Sequence, residues 1–270
     1  MTTTPNRKYS SLDQFLRSSP LCIDGTVDYG RDASFPVRAR EIEASVLFAD
    51  ISKFSARTAE LSSTETLVFV NDFFTWMTVP VTSHLGIIDK YIGDEIMVVF
   101  SKEFGSVDAF ADSLRAARWM IENDGRAYCP HIGIASGIVT VGYVGTSSNY
   151  SCSVFGAPVT LAARCAADDT FRDAMATRIV FPASEWTYAS LEDVFPRANG
   201  EPEDDEEDDG EAPGWSLHEA RKANPKNIEA LELRCIEWTL CRLPTTNASP
   251  EQSAKRVVQQ LQSKGAYRPR

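Results

Sequence analysis

The stretch Gly86-Ile87-Ile88-Asp89-Lys90-Tyr91-Ile92-Gly93-Asp94-Glu95-Ile96-Met97-Val98-Val99-Phe100 decides the fold class. It holds two apolar runs, Gly86 to Ile92 and Glu95 to Phe100, each too short for a helix and rich in β-branched residues. Gly93-Asp94 lies between them, and a Gly-Asp pair flanked by apolar runs is a tight hairpin signal. An antiparallel hairpin is therefore expected, with an acid at its tip.

Upstream, Ala44-Ser45-Val46-Leu47-Phe48-Ala49-Asp50-Ile51 reads as a buried strand that ends on a second acid. Ser62-Ser63-Thr64-Glu65 has capping-box spacing, so a helix is expected to start there and run to about Leu85, with Pro80 inside it as a kink or stop. Downstream, Val107, Phe110, Ala111, Leu114, Ala117 and Ile121 recur at helical spacing. His131 to Ser136 and Ile138 to Val144 read as another strand pair separated at Gly137. Pro158 to Ala166 reads as a helix with proline in its first turn. Arg178 to Phe181 and Leu231 to Leu240 read as late strands. The order predicts an α+β fold of ferredoxin-like, palm type: a mostly antiparallel sheet covered by helices. Residues 1–40 read as an N-terminal arm and 41–245 as the catalytic domain. Residues 246–270 read as a tail whose Ser249-Pro250 would start a helix.

The chain has 270 residues and a net charge of −11, with ordinary globular composition. Clustered Lys and Arg are lacking, which argues against nucleic acid and anionic membrane as partners. Residues 201–211, within a predicted disordered insertion at 200–213, contribute nine acids; without them the net charge is −2. The six cysteines form no CxxC and only three histidines exist, so zinc is not expected. No secretory h-region is visible, and no run approaches the roughly 18 apolar residues of a spanning helix. A cytoplasmic protein with reduced cysteines is the expectation.

If the strand ending at Asp50 neighbours the hairpin, Asp50 and Asp94 emerge together at one sheet edge. Two carboxylates, a backbone carbonyl and ligand phosphates suit Mg²⁺ or Mn²⁺. Taken singly, each acid has a plainer use: a strand-end aspartate caps helices, and Gly-Asp makes turns.

Four segments together resemble class III nucleotidyl cyclases. Phe48-Ala49-Asp50-Ile51-Ser52-Lys53-Phe54-Ser55 resembles their FADIxGFS strand. Asp89 to Phe100 resembles DKxIGDxxMAxF, Gly137 to Gly145 resembles GxVxxGxxG, and Val154 to Arg164 resembles the GxxVNxAAR helix start. The resemblance implies that Asp50 and Asp94 hold two divalent ions, Mn²⁺ or Mg²⁺, with the Ile51 carbonyl as a third protein ligand. One ion would activate the ribose 3′-oxygen and the other would clamp the phosphates. Phe54 and Ser55 would open a helix that cradles the triphosphate, and Phe48 would lie against sugar or base. Arg164 would stabilise the transferring phosphoryl group, with Arg234 as a late phosphate contact. Lys90 and Ser153 would read the base. The resemblance also implies a homodimer with composite sites. One subunit would supply the metal aspartates, its partner the transition-state residues, and the base-reading pair would be divided between the two.

Thr160 stands where the resemblance calls for a ribose-orienting Asn. Lys90 with Ser153 disfavours guanine more than it chooses among the other bases. With no sensor or membrane domain visible, the chain is most similar to the small stand-alone pyrimidine cyclases of bacterial antiphage defence, which implies UTP to cUMP ahead of CTP to cCMP or ATP to cAMP. Gly93-Asp94-Glu95 also echoes GGDEF, so a diguanylate cyclase is a second reading. A degenerate regulatory domain is the third, supported only by Thr160.

Overall fold

The computed structural model describes residues 7–28, 30, 34–124, 127–146, 148–168, 170–171, 177–185, 194–195, 215–223, 230–238 and 249–268. The acidic run 201–211 and the 245/246 boundary lie outside the described residues.

The described elements run α1 (Leu12–Ser18), β1 (Ile23–Asp28), β2 (Ser34–Asp50), α2 (Phe54–Thr58), α3 (Ser63–Ser83), β3 (Ile87–Ile92), β4 (Glu95–Phe100), α4 (Ala109–Glu122), β5 (His131–Thr146), β6 (Asn149–Phe155), α5 (Ala157–Ala166), β7 (Thr177–Pro182), β8 (Trp215–Ala223), β9 (Leu231–Trp238) and α6 (Pro250–Ser263). One sheet is ordered β3-β4-β2-β5-β7-β9-β8, with β1 on β2 and β6 on β5. Among the described residues its pairings are antiparallel except β5 with β7, which is parallel. The α+β expectation is met.

Helices cover both faces. On β2, Leu47 and Ala49, with Ile51 just past its end, join the core cluster under α3, α4 and α6, while Val46 and Phe48 join the cluster under α1 and α5. This alternation is the period-2 geometry of a strand buried on both sides. The α3 N-terminus carries the full capping box between Ser62 and Glu65. Pro80 does not stop the helix. It is buried, and α3 runs on to Ser83 before Leu85 enters the left-handed region at φ 65°.

Two expectations need correction. Residues 7–40 are not a loose arm. Ser11 caps α1, whose Leu12, Phe15 and Leu16 are buried, and β1 pairs with β2. The helix spans only seven residues, too few for its apolar period to show in sequence. His131 to Val144 is not a hairpin. Gly137, at φ 149°, passes straight through a single strand that pairs with β2 from Ala39 to Asp50, and the chain turns only at 146–149 before β6. The helix expected from Ser249-Pro250 is present as α6 and is held to the body: Ala254 and Val258 are buried, and Arg57 Nε donates to Glu251 Oε1 at 2.5 Å. Ser249 caps this helix as expected. β6 and β8 went unread in the sequence, because their alternation is broken by polar and small residues.

Cys22, Cys152, Cys165 and Cys235 are free thiols, whereas Cys129 is disulfide-bonded. The reduced state expected for every cysteine is thus not met at Cys129; such pairing depends on tertiary proximity, which spacing does not reveal. No described helix is long and apolar enough to cross a membrane.

Candidate active site

The last residue of β2 is Asp50, and Asp94 occupies the β3–β4 turn next to Gly93, whose φ of 65° makes the tight turn. β4 pairs antiparallel with β2 from Ser45 to Ala49, so the hairpin tip and the β2 end meet at one sheet edge. The Ile51 main-chain N–H donates to the Asp94 carboxylate, which ties the two acidic positions together. Ile51 itself is buried, and its carbonyl accepts the Phe54 N–H at 3.2 Å.

Burial, then the neighbouring Asp94 and Glu95 carboxylates, push Asp50 up to about 7. Burial likewise raises Asp94, and burial with the Asp94 charge raises Glu95. The His131 main-chain N–H donates to the Asp50 carboxylate, but Asp50 Oδ1 is buried without a hydrogen-bond partner among the described residues. A buried carboxylate oxygen with no donor, beside further carboxylates, is costly unless a cation joins it. No three His, Cys, Asp or Glu side chains among the described residues converge as a metal cage. The donor set is two carboxylates and a carbonyl, which suits Mg²⁺ or Mn²⁺ completed by phosphates and does not suit zinc.

Three residues of this locus escaped the sequence reading. Glu95 is the third carboxylate. His131 begins β5 in register with Asp50, with Nδ1 3.9 Å from Asp50 Oδ1. Arg178, the second residue of β7, is in register with His131 and contributes a favourable charge at Asp50. Its guanidinium is buried and donates to the carbonyls of Asp168 (2.6 Å) and Phe171 (3.4 Å), which ties the segment after α5 to this edge. Adjacency of Glu95 to Asp94 was a usable signal; for His131 and Arg178 only strand register reveals the neighbourhood.

Four of the remaining candidates form two other groups. Lys90 Nζ donates to Ser153 Oγ at 2.6 Å within one chain. The two residues expected to be divided between subunits thus meet within one chain, because β3 and β6 approach each other. Ser153 is wholly buried in the chain, whereas the Lys90 side chain is 40% exposed. Thr160 and Arg164 lie one turn apart on α5. Thr160 is exposed and Arg164 half-buried, while Pro158, Ala162, Cys165 and Ala166 face the sheet. Among the described residues no hydrogen bond or ion pair links Arg164 to Asp50 or Asp94.

Phe48 is buried in the core under α5, and Phe54 packs against the other core near Phe69, ring centroids 6.4 Å apart. Both are packing residues within the chain. Ser55 is exposed on α2, whose N-cap Lys53 is left-handed at φ 56°. Arg234 shares the sheet face of Ile236, under α4, while Leu233 and Cys235 face α5. Strand alternation thus sets Arg234 on the opposite face from Arg164.

Residues 37–191 match the family described as adenylate and guanylate cyclase catalytic domain. That is more than half the chain, and the chain belongs to this family. An adenylate cyclase of Anabaena cylindrica is 33% identical over 135 residues, covering 44% of this chain and 26% of that protein. The chain thus spans about a quarter of that relative. Among solved structures, the guanylate cyclase domain of RhGC from Catenaria anguillulae, in complex with GTP, superposes with a TM-score of 0.55 at 17% identity, covering 74% of this chain and 98% of that one. The adenylyl cyclase CyaB from P. aeruginosa gives 0.51 at 20% identity, covering 73% and 95%. These likenesses show the fold.

Proposed function

We propose that this chain cyclises a ribonucleoside triphosphate to a 3′,5′-cyclic nucleotide with release of pyrophosphate, using two divalent ions, Mn²⁺ or Mg²⁺. The observation that carries this reading is the Asp50–Asp94 edge, where carboxylates gather and the buried Asp50 Oδ1 makes no hydrogen bond among the described residues, His131 Nδ1 standing off at 3.9 Å. In the reaction the ribose 3′-oxygen bonds to the α-phosphorus, the bond from that phosphorus to the bridging oxygen breaks, and the hydroxyl proton is released. Asp50, Asp94 and the Ile51 carbonyl would hold the ions, which supply charge neutralisation and lower the pKa of the 3′-hydroxyl.

Arg164 serves as the fixed cation for charge developing on the phosphoryl group, and Thr160 lies one turn away to meet the ribose. Neither is among the α5 residues buried against the sheet, and no hydrogen bond or ion pair among the described residues joins Arg164 to Asp50. Ile138, Val144, Tyr150 and Phe155 are exposed apolar residues on β5 and β6, next to α5. Such a patch supports a homodimer in which α5 of one subunit faces the Asp50 edge of its partner.

For the base we favour UTP to cUMP, as a signal in antiphage defence, with CTP or ATP as alternatives. Lys90 supports this reading by offering an ammonium donor to a base carbonyl or ring nitrogen; Thr160 in place of Asn supports it by departing from the usual ribose contact. The diguanylate cyclase reading has only Gly93-Asp94-Glu95 in its favour, against a family match over residues 37–191. Incubation with each of the four ribonucleoside triphosphates and Mn²⁺, with products identified by mass, tests the proposal. A single cyclic mononucleotide is expected. A dinucleotide, or binding without turnover, would defeat it; a cAMP-only product would defeat the base assignment alone.

A further inference from the structure

Asp89 is the extra residue of a β-bulge. In the β3–β4 ladder Ile88 faces Val98 and Lys90 faces Met97, so Asp89 has no partner of its own. Regular alternation would send residues 89 and 90 to opposite sides of the strand; a bulge re-aims them. Here both reach the same point. Ser153 Oγ donates to Asp89 Oδ2 at 2.8 Å, Lys90 Nζ donates to Ser153 Oγ at 2.6 Å, and Lys90 Nζ lies 3.2 Å from the same Oδ2. The Asp89 side chain has no exposed surface, and its Oδ1 is buried without a hydrogen-bond partner.

This arrangement has a consequence for recognition. The hydroxyl proton of Ser153 is committed to Asp89, so Ser153 is an acceptor that receives Lys90. Two of the three ammonium protons point down into Ser153 and Asp89. With those two contacts on its buried side, the ammonium offers its remaining donor on the exposed side of Lys90, whose side chain is 40% exposed. A lysine on four rotatable bonds would otherwise sample many directions and discriminate poorly between ligand edges. A buried ion pair of this kind is weak evidence for stability, since apolar replacements are often neutral or better, whereas its fixed geometry is what an apolar core cannot supply.

Building on the nucleotide-cyclase reading, we infer that Asp89 is a positioning residue for base selection: with Ser153 it holds Lys90 so that a single N–H meets an acceptor on the base. Ser153 then supports Lys90 from beneath and does not itself touch the base. Nothing else in the cyclase chemistry requires a carboxylate at this place, since Asp89 is turned toward Ser153 and Val154, with the Val154 main-chain N–H also donating to it.

The test uses the full chain and the variants Asp89→Asn, Ser153→Ala and Lys90→Gln. Binding of each of the four 3′-deoxyribonucleoside triphosphates, which lack the attacking oxygen, is measured with Mn²⁺ alongside kcat and KM for the ordinary triphosphates. Thermal melts establish folding. The wild type is expected to bind one base at least tenfold better than the poorest. Asp89→Asn and Ser153→Ala should each shrink that ratio at least fivefold, toward the value for Lys90→Gln, with KM for the favoured substrate rising more than kcat falls. If Asp89→Asn fails to fold, Ser153→Ala carries the same comparison. Ratios within twofold of wild type in the folded variants, while Lys90→Gln loses selectivity, would overturn the role of Asp89. Equal binding of all four bases by the wild type would overturn it too. Selective binding with no cyclic product from any substrate would instead defeat the cyclase reading and leave the positioning role standing.

Discussion

The Ala162 carbonyl occupies the space that a side chain on Gly133 would need: a Cβ there would lie 2.1 Å from that oxygen and 2.2 Å from the Ala166 nitrogen. Helix α5 therefore rests backbone to backbone on β5, two residues along from His131, which faces Asp50. The position of Arg164 and Thr160 is set by this contact, because neither atom met is the free end of a side chain that could swing aside.

Gly133→Ala is accordingly expected to push α5 off the sheet. Overpacking of this kind costs about 1–3 kcal/mol or more. Displacing Arg164 by even ~1 Å should lower kcat on the order of 100-fold. Thermal melts and steady-state kinetics check both. An unchanged kcat would show that the seat of α5 on β5 does not govern the proposed role of Arg164.

Asp50→Asn should abolish turnover and the rise in melting temperature produced by Mn²⁺. It should also make the metal-free protein more stable, because it removes a buried charge set against Asp94 and Glu95. Melting curves with and without Mn²⁺ decide the matter. A Mn²⁺ response equal to that of wild type would rule out Asp50 as a ligand.

The pH dependence of the metal-free protein has a definite sign. Burial, with the Asp94 and Glu95 charges, raises Asp50 to about 7. Burial alone raises Glu185 to about 7, even though Glu185 accepts the Ser136 N–H at 2.8 Å. A carboxyl whose folded-state value lies above its unfolded one favours folding when protonated, and that contribution is lost as pH rises from about 4 to about 7. The metal-free chain should thus melt roughly 5 °C higher at pH 5.5 than at pH 8. Mn²⁺ should stabilise it more at pH 8, where Asp50 is ionised. Greater metal-free stability at pH 8 would contradict the placement of these carboxyls.

Complementation tests the composite site. Asp50→Ala and Arg164→Ala should each lose at least about 100-fold in activity. Mixed in equal amounts and allowed to exchange subunits, they should recover roughly a quarter of wild-type activity, since random pairing makes half the dimers mixed and each mixed dimer has one intact site. Mixtures as inactive as their components would mean that each chain builds its site alone.

Much of this was legible before any coordinates. The strand to Asp50, the hairpin through Asp94, the capped start of α3 and the helix bearing Arg164 each follow from a local rule: apolar runs, a Gly-Asp turn, a capping box, a proline in the first turn. The errors share a different origin. Gly137 reads as a break, yet its neighbours on β2 hold it extended within one long strand. The lead-in to residue 40 reads as polar, yet Phe15 is wholly buried, edge-on to Phe104 at 5.1 Å.

The pattern of apolar runs and turn residues was enough to specify the α+β class and to bring Asp50 and Asp94 to one edge, because strand pairing follows from features within a few residues of each. The company those acids keep was decided elsewhere. His131 and Arg178 reach Asp50 through register across three strands. Ser153 reaches Lys90 and Asp89 only because a bulge turns two successive side chains to one side. Arg234 is carried away from Arg164 by strand alternation. Side-chain charge and hydrogen bonding act over a few ångströms, and only the packed chain determines which residues come within that distance.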